Sequence, residues 1–328
     1  MANVDKENMI SVLDNFWKQC EDAQRLGKNI VVGLPINGIV LCGMGGSAFA
    51  GAILHSYLDF SVPFEVCRSY FLPKWVDHNT LVIVASYSGN TEEPLAAFKE
   101  ARAKKAKIVG IAKGGKLEEM CIQAKAPFIK VPSGLQPRDA MGYLTLPLIN
   151  VLQNSRIIKD KTGEIEDAIG ALKKSHHENA KDIAAKLKGK IPVIYSSQKL
   201  ECIARIWKCK INENAKTTAF FNVFSELNHN EIESYINPAK NLFVIIIEDK
   251  NDFDRIKKRM AIMKKLVQDS GIPVLYIKLS GDSLLARILS SVLLGSYVGY
   301  YLALENGADP TEVEILENFK KQLGTPIN

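Results

Sequence analysis

The sequence has little of what a metal site or a disulfide-bonded secreted fold requires. Its six cysteines are scattered over 328 residues, show no CxxC spacing and lie mainly in apolar runs. This distribution indicates reduced thiols and argues against a cysteine metal site or a disulfide framework. Histidine is also scarce, with five residues in the whole chain. We therefore expect neither a bound metal nor structural disulfides.

The chain also lacks the marks of export and of membrane insertion. Its first residues, MANVDKENMISVLDNFW, form an acidic and polar helix pattern without the basic and apolar blocks of a signal peptide. No segment stands out as apolar for long enough to cross a bilayer. With 47% hydrophobic and 24% charged residues, the composition is typical of a soluble globular protein. We expect a cytoplasmic protein with no membrane partner.

The positive charge is not arranged for nucleic acid. The formal net charge of +6 comes from lysines that are spread along the chain, and no basic run is interleaved with aromatic residues. Such a charge suits small anionic metabolites equally well. We expect anionic small-molecule partners and no nucleic acid.

Short apolar runs alternate with helical patterns between residues 38 and 150. Most of these runs are too uniformly apolar for a sheet with one solvated face, so helices must cover both faces. This is the pattern of a doubly wound parallel sheet, which binds ligands at the carboxyl ends of its strands. The runs are GIVLC, FEVC, TLVIVA, KIVGIA and FIKV.

The same alternation restarts in the second half with IPVIYS, LFVIIIE and PVLYIKL. The length also favours two domains. The stretch between the halves is highly charged and has little strand character, which is typical of a helical connector. We predict an α/β fold with two doubly wound parallel sheets: an N-terminal domain at 1–153, a connector at 154–175 and a C-terminal domain at 176–328.

The first glycine-rich loop, GMGGS at residues 43–47, follows a predicted strand and precedes a predicted helix. Glycines such as Gly46 let backbone N–H groups approach a ligand, and a helix start favours negative charge. With Ser47 this loop could hold an anion. It also fits a GxGxxA dinucleotide fingerprint with Glu65 as the acidic partner, although Glu65 falls at the start of its strand.

The second loop, SYSGNT at residues 86–91, also joins a strand to a helix. Its hydroxyls on Ser86, Ser88 and Thr91, together with free amides at the helix start, form a site suited to a phosphate dianion. The structural alternative is a helix cap made by Asn90 or Thr91. Two such loops at strand ends in one domain favour the ligand.

These loops and four later strings carry a family resemblance. GMGGS followed by SYSGNTEEP resembles the sugar-isomerase (SIS) domain, in which hydroxyls of the second loop hold the phosphate of a phosphosugar. Taken with the later strings, essentially the whole chain resembles the bifunctional phosphoglucose/phosphomannose isomerases. The later strings are GLQPRDAMGYL (134–144), INENAK (211–216), ELNHNEI (226–232) and DPTEVEILENFKKQL near the C-terminus.

The resemblance implies an enzyme with two SIS domains that interconverts glucose 6-phosphate and mannose 6-phosphate with fructose 6-phosphate through an enediol(ate). It implies no metal or redox cofactor. Glu213 would move the proton between C1 and C2, and Arg138 would stabilise the negative charge that develops on the sugar oxygens. From the residues alone, Arg138 could equally be a solvent-facing loop arginine, and Glu213 could form a structural ion pair at the inward edge of its helix.

The family pattern also assigns residues to ring opening. His229, in SELNHNEI, would assist and would reach the active site from a neighbouring subunit, which implies a homodimer. A C-terminal lysine, Lys320 or Lys321, would help, and Thr311 would leave room for a water that lets both C2 epimers bind. The chain departs from the pattern at Ser225, where we expect a proline, and this could loosen the turn that carries His229.

Two other function classes remain open at this stage. A phosphosugar-binding sensor would keep SYSGNT but would not need Glu213, Arg138 and His229 together. A dinucleotide-dependent oxidoreductase would use GMGGSA instead.

Overall fold

A computed structural model describes residues 4–174 and 178–324. These residues cluster into two compact units, one of residues 15–169 and one that joins residues 4–14 to the chain from residue 170 onwards. The short helix α1 (Met9–Asp14) belongs to the unit that continues from residue 170, although it precedes residues 15–169 in the chain. The predicted boundary between the connector and the C-terminal domain, between residues 175 and 176, lies outside the described residues.

The first unit is built around one parallel sheet with helices packed on it. Its strands are arranged in the order β2-β1-β3-β4-β5, and every neighbouring pair is parallel. The sequence order reverses between β1 and β3, so the carboxyl ends of these two strands form the switch point where such sheets bind ligands. Its elements are α2 (Phe16–Ala23), β1 (Gly38–Cys42), α3 (Gly45–Tyr57), β2 (Phe64–Cys67), β3 (Thr80–Ala85), α4 (Glu92–Ala103), β4 (Lys107–Ala112), α5 (Lys116–Ala124), β5 (Phe128–Lys130), a 3-10 turn (Pro137–Asp139), α6 (Met141–Asn154) and most of α7 (Thr162–Lys173).

The second unit contains a four-stranded parallel sheet in the order β7-β6-β8-β9. Three of these strands are predicted from the sequence. The fourth, β7, is not, because it is a short edge strand whose first side chain is exposed. The predicted fold class, α/β with a helix-flanked parallel sheet in each half, is confirmed. The elements are α8 (Glu178–Leu187), β6 (Ile191–Ser197), α9 (Glu201–Ala215), β7 (Phe220–Phe224), 3-10 helices at Glu226–His229 and Glu231–Ile236, β8 (Leu242–Glu248), α10 (Asp254–Asp269), β9 (Val274–Lys278), α11 (Leu284–Glu305) and α12 (Glu314–Leu323).

Helix α11 corrects the expectation that no segment is apolar enough to cross a bilayer. It has 22 residues and a mean hydropathy of 1.3 in its most apolar window, which meets the length and composition of a span. However, 72% of that window is buried inside the protein, where α11 packs on α8, α9 and α1. Its apolar character is therefore accounted for by packing in the core of the second unit.

The N-terminal segment is part of this core. Met9 and Leu13 of α1 are buried, and the hydroxyl of Tyr297 on α11 donates to Asp14 at 2.7 Å. These contacts explain why residues 4–14 belong to the second unit rather than to the sheet that follows them in the chain.

Candidate functional site

The first glycine-rich loop lies directly after β1, with α3 beginning at Gly45. A Cβ atom on Gly46 would lie 2.3 Å from the carbonyl oxygen of Pro137, so only glycine lets the turn at Pro137–Asp139 come this close. The buried hydroxyl of Ser47 accepts from the backbone N–H of Tyr87 at 3.0 Å. Ser47 thereby joins the first loop to the second.

The second loop brings its hydroxyls together at the start of α4. The hydroxyls of Ser86 and Thr91 are 2.9 Å apart, and the backbone N–H of Asn90 donates to the Ser88 hydroxyl at 3.2 Å. Thr91 occupies the N-cap position of α4, but its side chain makes no capping hydrogen bond there. Asn90 instead accepts from the N–H of Lys116, the first residue of α5. The capping alternative therefore does not account for this loop, and the first-turn amides of α4 can bind an anion.

A third loop, at residues 113–116, lies against the second and was missed by the sequence analysis. The N–H of Lys113 donates to the carbonyl of Tyr87 at 3.0 Å, and the N–H of Leu117 donates to Gly89 at 2.9 Å. Gly89 has φ +75°, and a Cβ there would lie 1.7 Å from the oxygen of Gly114. The signal was present, because KGGK follows a strand and opens a helix in the same manner as the other two loops.

This third loop adds a cation beside Tyr87 of the second loop. The ammonium of Lys113 lies 5.6 Å from the centroid of the Tyr87 ring, within the range of a cation–π contact. Lys113 and Lys116 are both exposed, so they can raise the local concentration of an anionic ligand.

Arg138 is held beside the same loops. It is 3% exposed, which excludes the solvent-facing alternative, and its Nε lies 4.0 Å from Asp139. The segment that leads to it is fixed by Tyr87, whose hydroxyl donates to the carbonyl of Pro132 at 2.9 Å and accepts from the N–H of Leu135 at 3.1 Å. Burial of that hydroxyl raises the pKa of Tyr87, so it stays protonated and keeps both bonds at neutral pH.

The dinucleotide alternative gains no support from the geometry. Glu65 pairs in register with Val40, one residue into β2 rather than at its carboxyl end. Its carboxylate accepts from the indole N–H of Trp75 at 3.3 Å. The acidic residue that a ribose would need is therefore placed away from the end of the strand.

Glu213 lies near the end of α9 in the second unit. It is half-buried, while Ile206, Trp207 and Lys210 on the same helix are fully buried. This intermediate exposure matches the predicted position at the edge of the apolar stripe. The Glu213 carboxylate is therefore partly accessible to a ligand, and its role as a base stays a prediction.

His229 ends the 3-10 helix Glu226–His229 and is exposed. The peptide bond before Ser225 is cis, and the carbonyl of Ser225 accepts from the N–H of Asn228 at 3.0 Å. The amide of Asn230 donates to Glu226 at 2.7 Å across the histidine. The turn is therefore well bonded despite the absence of a proline.

The C-terminal candidates differ in environment. Thr311 is buried, and its N–H donates to Asp309 at 2.8 Å. Lys320 on α12 is exposed and pairs with Glu317 at 2.7 Å. Lys321 is also exposed. Exposure alone does not separate the two lysines.

The structure thus brings the predicted residues of the first unit together and distributes those of the second among several elements. The residues at the carboxyl edge of the first sheet are Gly46, Ser47, Ser86, Ser88, Thr91 and Arg138. In the second unit, Glu213 lies on α9 and His229 follows β7, while Thr311 follows α11 and Lys320 lies on α12.

Comparisons with known proteins extend over almost the whole chain. The chain is 40% identical to the bifunctional phosphoglucose/phosphomannose isomerase of Caldicellulosiruptor bescii, and the alignment covers 96% of this chain and 98% of that relative. It is 38% identical to the protein of the same name from Aquifex aeolicus, over 97% of this chain and 98% of the relative. The chain belongs to the bifunctional phosphoglucose/phosphomannose isomerase family.

Two further comparisons agree with this family. The sequence model of the bacterial phospho-glucose isomerase C-terminal SIS domain matches residues 176–323. Among solved structures, the hypothetical protein TT0462 from Thermus thermophilus superposes with a TM-score of 0.74 at 16% identity, over 95% of this chain and 90% of that chain. At this identity the structural match supports the fold alone.

Proposed function

We propose that this family member is an aldose–ketose isomerase that interconverts glucose 6-phosphate and mannose 6-phosphate with fructose 6-phosphate. The observation that carries the proposal is the hydroxyl cluster of Ser86, Ser88 and Thr91 at the start of α4, in a chain that aligns end to end with relatives named for this activity. A phosphosugar is therefore the ligand that we assign to the first unit.

The phosphate would be held by neutral donors. Ser47, Ser86, Ser88 and Thr91 supply hydroxyls, and the start of α4 supplies backbone amides and the positive end of its dipole. Lys113 adds long-range attraction for the dianion without a direct ion pair. Such a site fixes one end of the sugar, leaving the other end for chemistry.

The chemistry needs proton transfers and charge stabilisation from the chain's own residues. Protonation of the ring oxygen, which opens the sugar, falls to His229 with Lys320 or Lys321. Glu213 then removes the C2 proton and returns it to C1, while Arg138 stabilises the charge on the enediolate oxygens. Thr311 is the candidate for accommodating both epimers at C2. No step in this sequence requires a metal or a redox cofactor.

A homodimer that contributes His229 across its interface is part of this proposal, as is a cytoplasmic location. Support comes from apolar side chains that the single chain leaves exposed in the second unit. On α12, Ile315 is 88% exposed and Phe319 is 58% exposed. Ile236, at the end of the 3-10 helix that follows His229, is 82% exposed. Such side chains are typical of a surface that another chain covers.

Light scattering after size exclusion tests the dimer. We expect twice the chain mass of 36.3 kDa for the wild type and for the control Gln322→Asp, and a shift toward the single-chain mass for Phe319→Asp. A single-chain mass for the wild type would contradict the dimer while leaving the isomerase proposal intact.

The isomerase proposal itself is tested with both hexose 6-phosphates. We expect each to yield fructose 6-phosphate, and we expect solvent deuterium to enter the product. Fructose 6-phosphate that binds without any exchange would instead identify a sensor that does not turn its ligand over.

A further inference from the structure

A single carboxylate ties the turn that carries His229 to the second sheet. Glu231 begins the 3-10 helix Glu231–Ile236, two residues after the histidine. One of its carboxylate oxygens accepts from the Tyr195 hydroxyl, and the other accepts from the Asn222 amide at 2.6 Å. Both carboxylate oxygens are thus bound to the sheet.

The sheet itself places the two donors next to each other. Tyr195 on β6 and Asn222 on β7 are register partners in the parallel sheet, so their side chains project from the same face. The Tyr195 hydroxyl is also 2.7 Å from that of Tyr235, at the other end of the same 3-10 helix. Both ends of that helix therefore meet at one buried phenol.

The protonation states suit this arrangement. Burial raises the pKa of Tyr195 far above its usual range, and burial raises the pKa of Tyr235 to about 12. Both phenols keep their protons at neutral pH. The carbonyl oxygen of the Asn222 amide accepts from the N–H of Val223 at 2.8 Å, which directs its NH₂ to Glu231. The carboxylate thus receives two charge-assisted hydrogen bonds.

We propose that Glu231 is a positioning residue for His229, holding the exposed imidazole in the orientation needed for ring opening. The inference rests on the proposed function, since the orientation matters only if His229 takes part in the reaction. At the start of the turn, Phe224 and Leu227 are buried, and the Arg259 guanidinium donates to the Asn228 side chain at 3.4 Å. After the histidine, the Glu231 carboxylate is the first contact with the sheet along the chain, and the buried Tyr235 is the next.

The test compares Glu231→Ala with Glu233→Ala. Glu233 lies on the same 3-10 helix, carries the same charge and is exposed, so it controls for charge and for local helix propensity. We expect kcat to fall about tenfold in Glu231→Ala, less than the loss of an acid itself, with KM little changed and no comparable loss in Glu233→Ala. The midpoint of thermal unfolding is recorded for each variant.

A kinetic isotope effect separates positioning from a purely structural role. When ring opening becomes slower than proton transfer, the primary effect with C2-deuterated glucose 6-phosphate falls toward one. We expect this fall in Glu231→Ala and His229→Ala, but not in Glu233→Ala. Adding Glu231→Ala to His229→Ala should cost little further activity, because the two residues act through one step.

Tyr195→Phe provides a second variant that keeps the packed ring, in case Glu231→Ala does not fold. It removes one donor to the carboxylate and should lower kcat and the isotope effect in the same direction. Amide hydrogen exchange over residues 226–236 should rise in both variants, whatever their activity.

An unchanged kcat or an unchanged isotope effect in Glu231→Ala would overturn the positioning role, whatever the exchange rate, and would leave the isomerase proposal standing. A wild type that does not isomerise either hexose phosphate would overturn both.

Discussion

The carboxyl edges of the two parallel sheets differ in what fills them. In the first unit, the edge carries the neutral hydroxyls of Ser86 and Thr91 beside the start of α4. In the second unit, the edge after β8 carries the carboxylates of Asp249 and Asp252 and the guanidinium of Arg287, all buried. Two sheets of similar topology thus carry different groups at this edge, neutral hydroxyls in the first unit and buried charges in the second.

After β8, the charged groups at the edge of the second sheet are bound to one another and to nearby backbone. The Nε of Arg287 donates to Asp249, and one of its Nη groups donates to the carbonyl of Asp282 at 2.8 Å. The N–H of Asp249, which could bind an anion, already donates to Asp252 at 2.8 Å. Two units of similar topology thus differ at this edge, because the charged groups and the Asp249 N–H that follow β8 are already paired within the protein.

The largest expected effect is the loss of folding stability when the buried ion pair after β8 is broken. Arg287→Met should lower the free energy of unfolding by about 3–5 kcal/mol, because it leaves a buried carboxylate unpaired. Urea denaturation measures this loss. The matched control is Arg205→Met, whose partner Glu201 is about one third exposed and whose loss should cost about 1 kcal/mol or less. Equal losses would contradict a closed, structural role for the second edge.

The next effect is on substrate binding at the first edge. Ser88→Asp places a like charge beside the phosphate and should raise KM for fructose 6-phosphate at least about tenfold, equivalent to about 1.4 kcal/mol. Ser88→Ala, which removes a single hydrogen bond, should cost about 0.5–1.5 kcal/mol. Steady-state kinetics measure both.

An exposed serine of the same unit provides the control for charge. Ser61→Asp should leave KM unchanged, because Ser61 lies in the exposed stretch before β2. If Ser88→Asp and Ser61→Asp behaved alike, the first edge would not be the phosphate site.

Much of the fold could be predicted from the sequence, because central parallel strands are buried on both faces and read as uniform apolar runs. β1, β3 and β8 are of this kind. β7 is not: it is a short edge strand, and its side chains range from exposed to buried. The position of α1 was also unpredictable, since only its contacts with α11 place it in the second unit.

The candidate site was predictable only where its residues are neighbours in sequence. The hydroxyls of residues 86–91 lie in one loop, so their spacing was informative. The pairing of Glu231 with Tyr195 joins positions 36 residues apart, and the burial of Arg138 depends on tertiary packing. Neither of these features leaves a local pattern in the sequence.

The smallest expected effect is on how the folding stability depends on pH through Asp252, after β8. Burial raises the pKa of Asp252 above 3.8, and the Ser197 hydroxyl offsets this in part. The folded state therefore binds this proton more tightly than the unfolded state does. The resulting stability is present below pH 3.8 and is lost as the pH rises through the folded pKa.

Asp252→Asn removes this titration while keeping an oxygen that can accept from the N–H of Asp249. We expect the stability of the variant relative to wild type to increase as the pH rises from about 4 to 7, measured by urea denaturation at each pH. If the free energies of unfolding of the variant and the wild type changed in parallel with pH, the pKa of Asp252 would not be raised by burial.

Deuterium exchange in the Glu213→Gln variant tests the proposed role of Glu213 as the base that moves the proton between C1 and C2. In D₂O, the wild type and the control Glu201→Gln should both introduce deuterium into fructose 6-phosphate. Glu213→Gln should do so at least about 10²-fold more slowly, while it still binds the sugar phosphate. Exchange by Glu213→Gln within about tenfold of the wild-type rate would contradict the account.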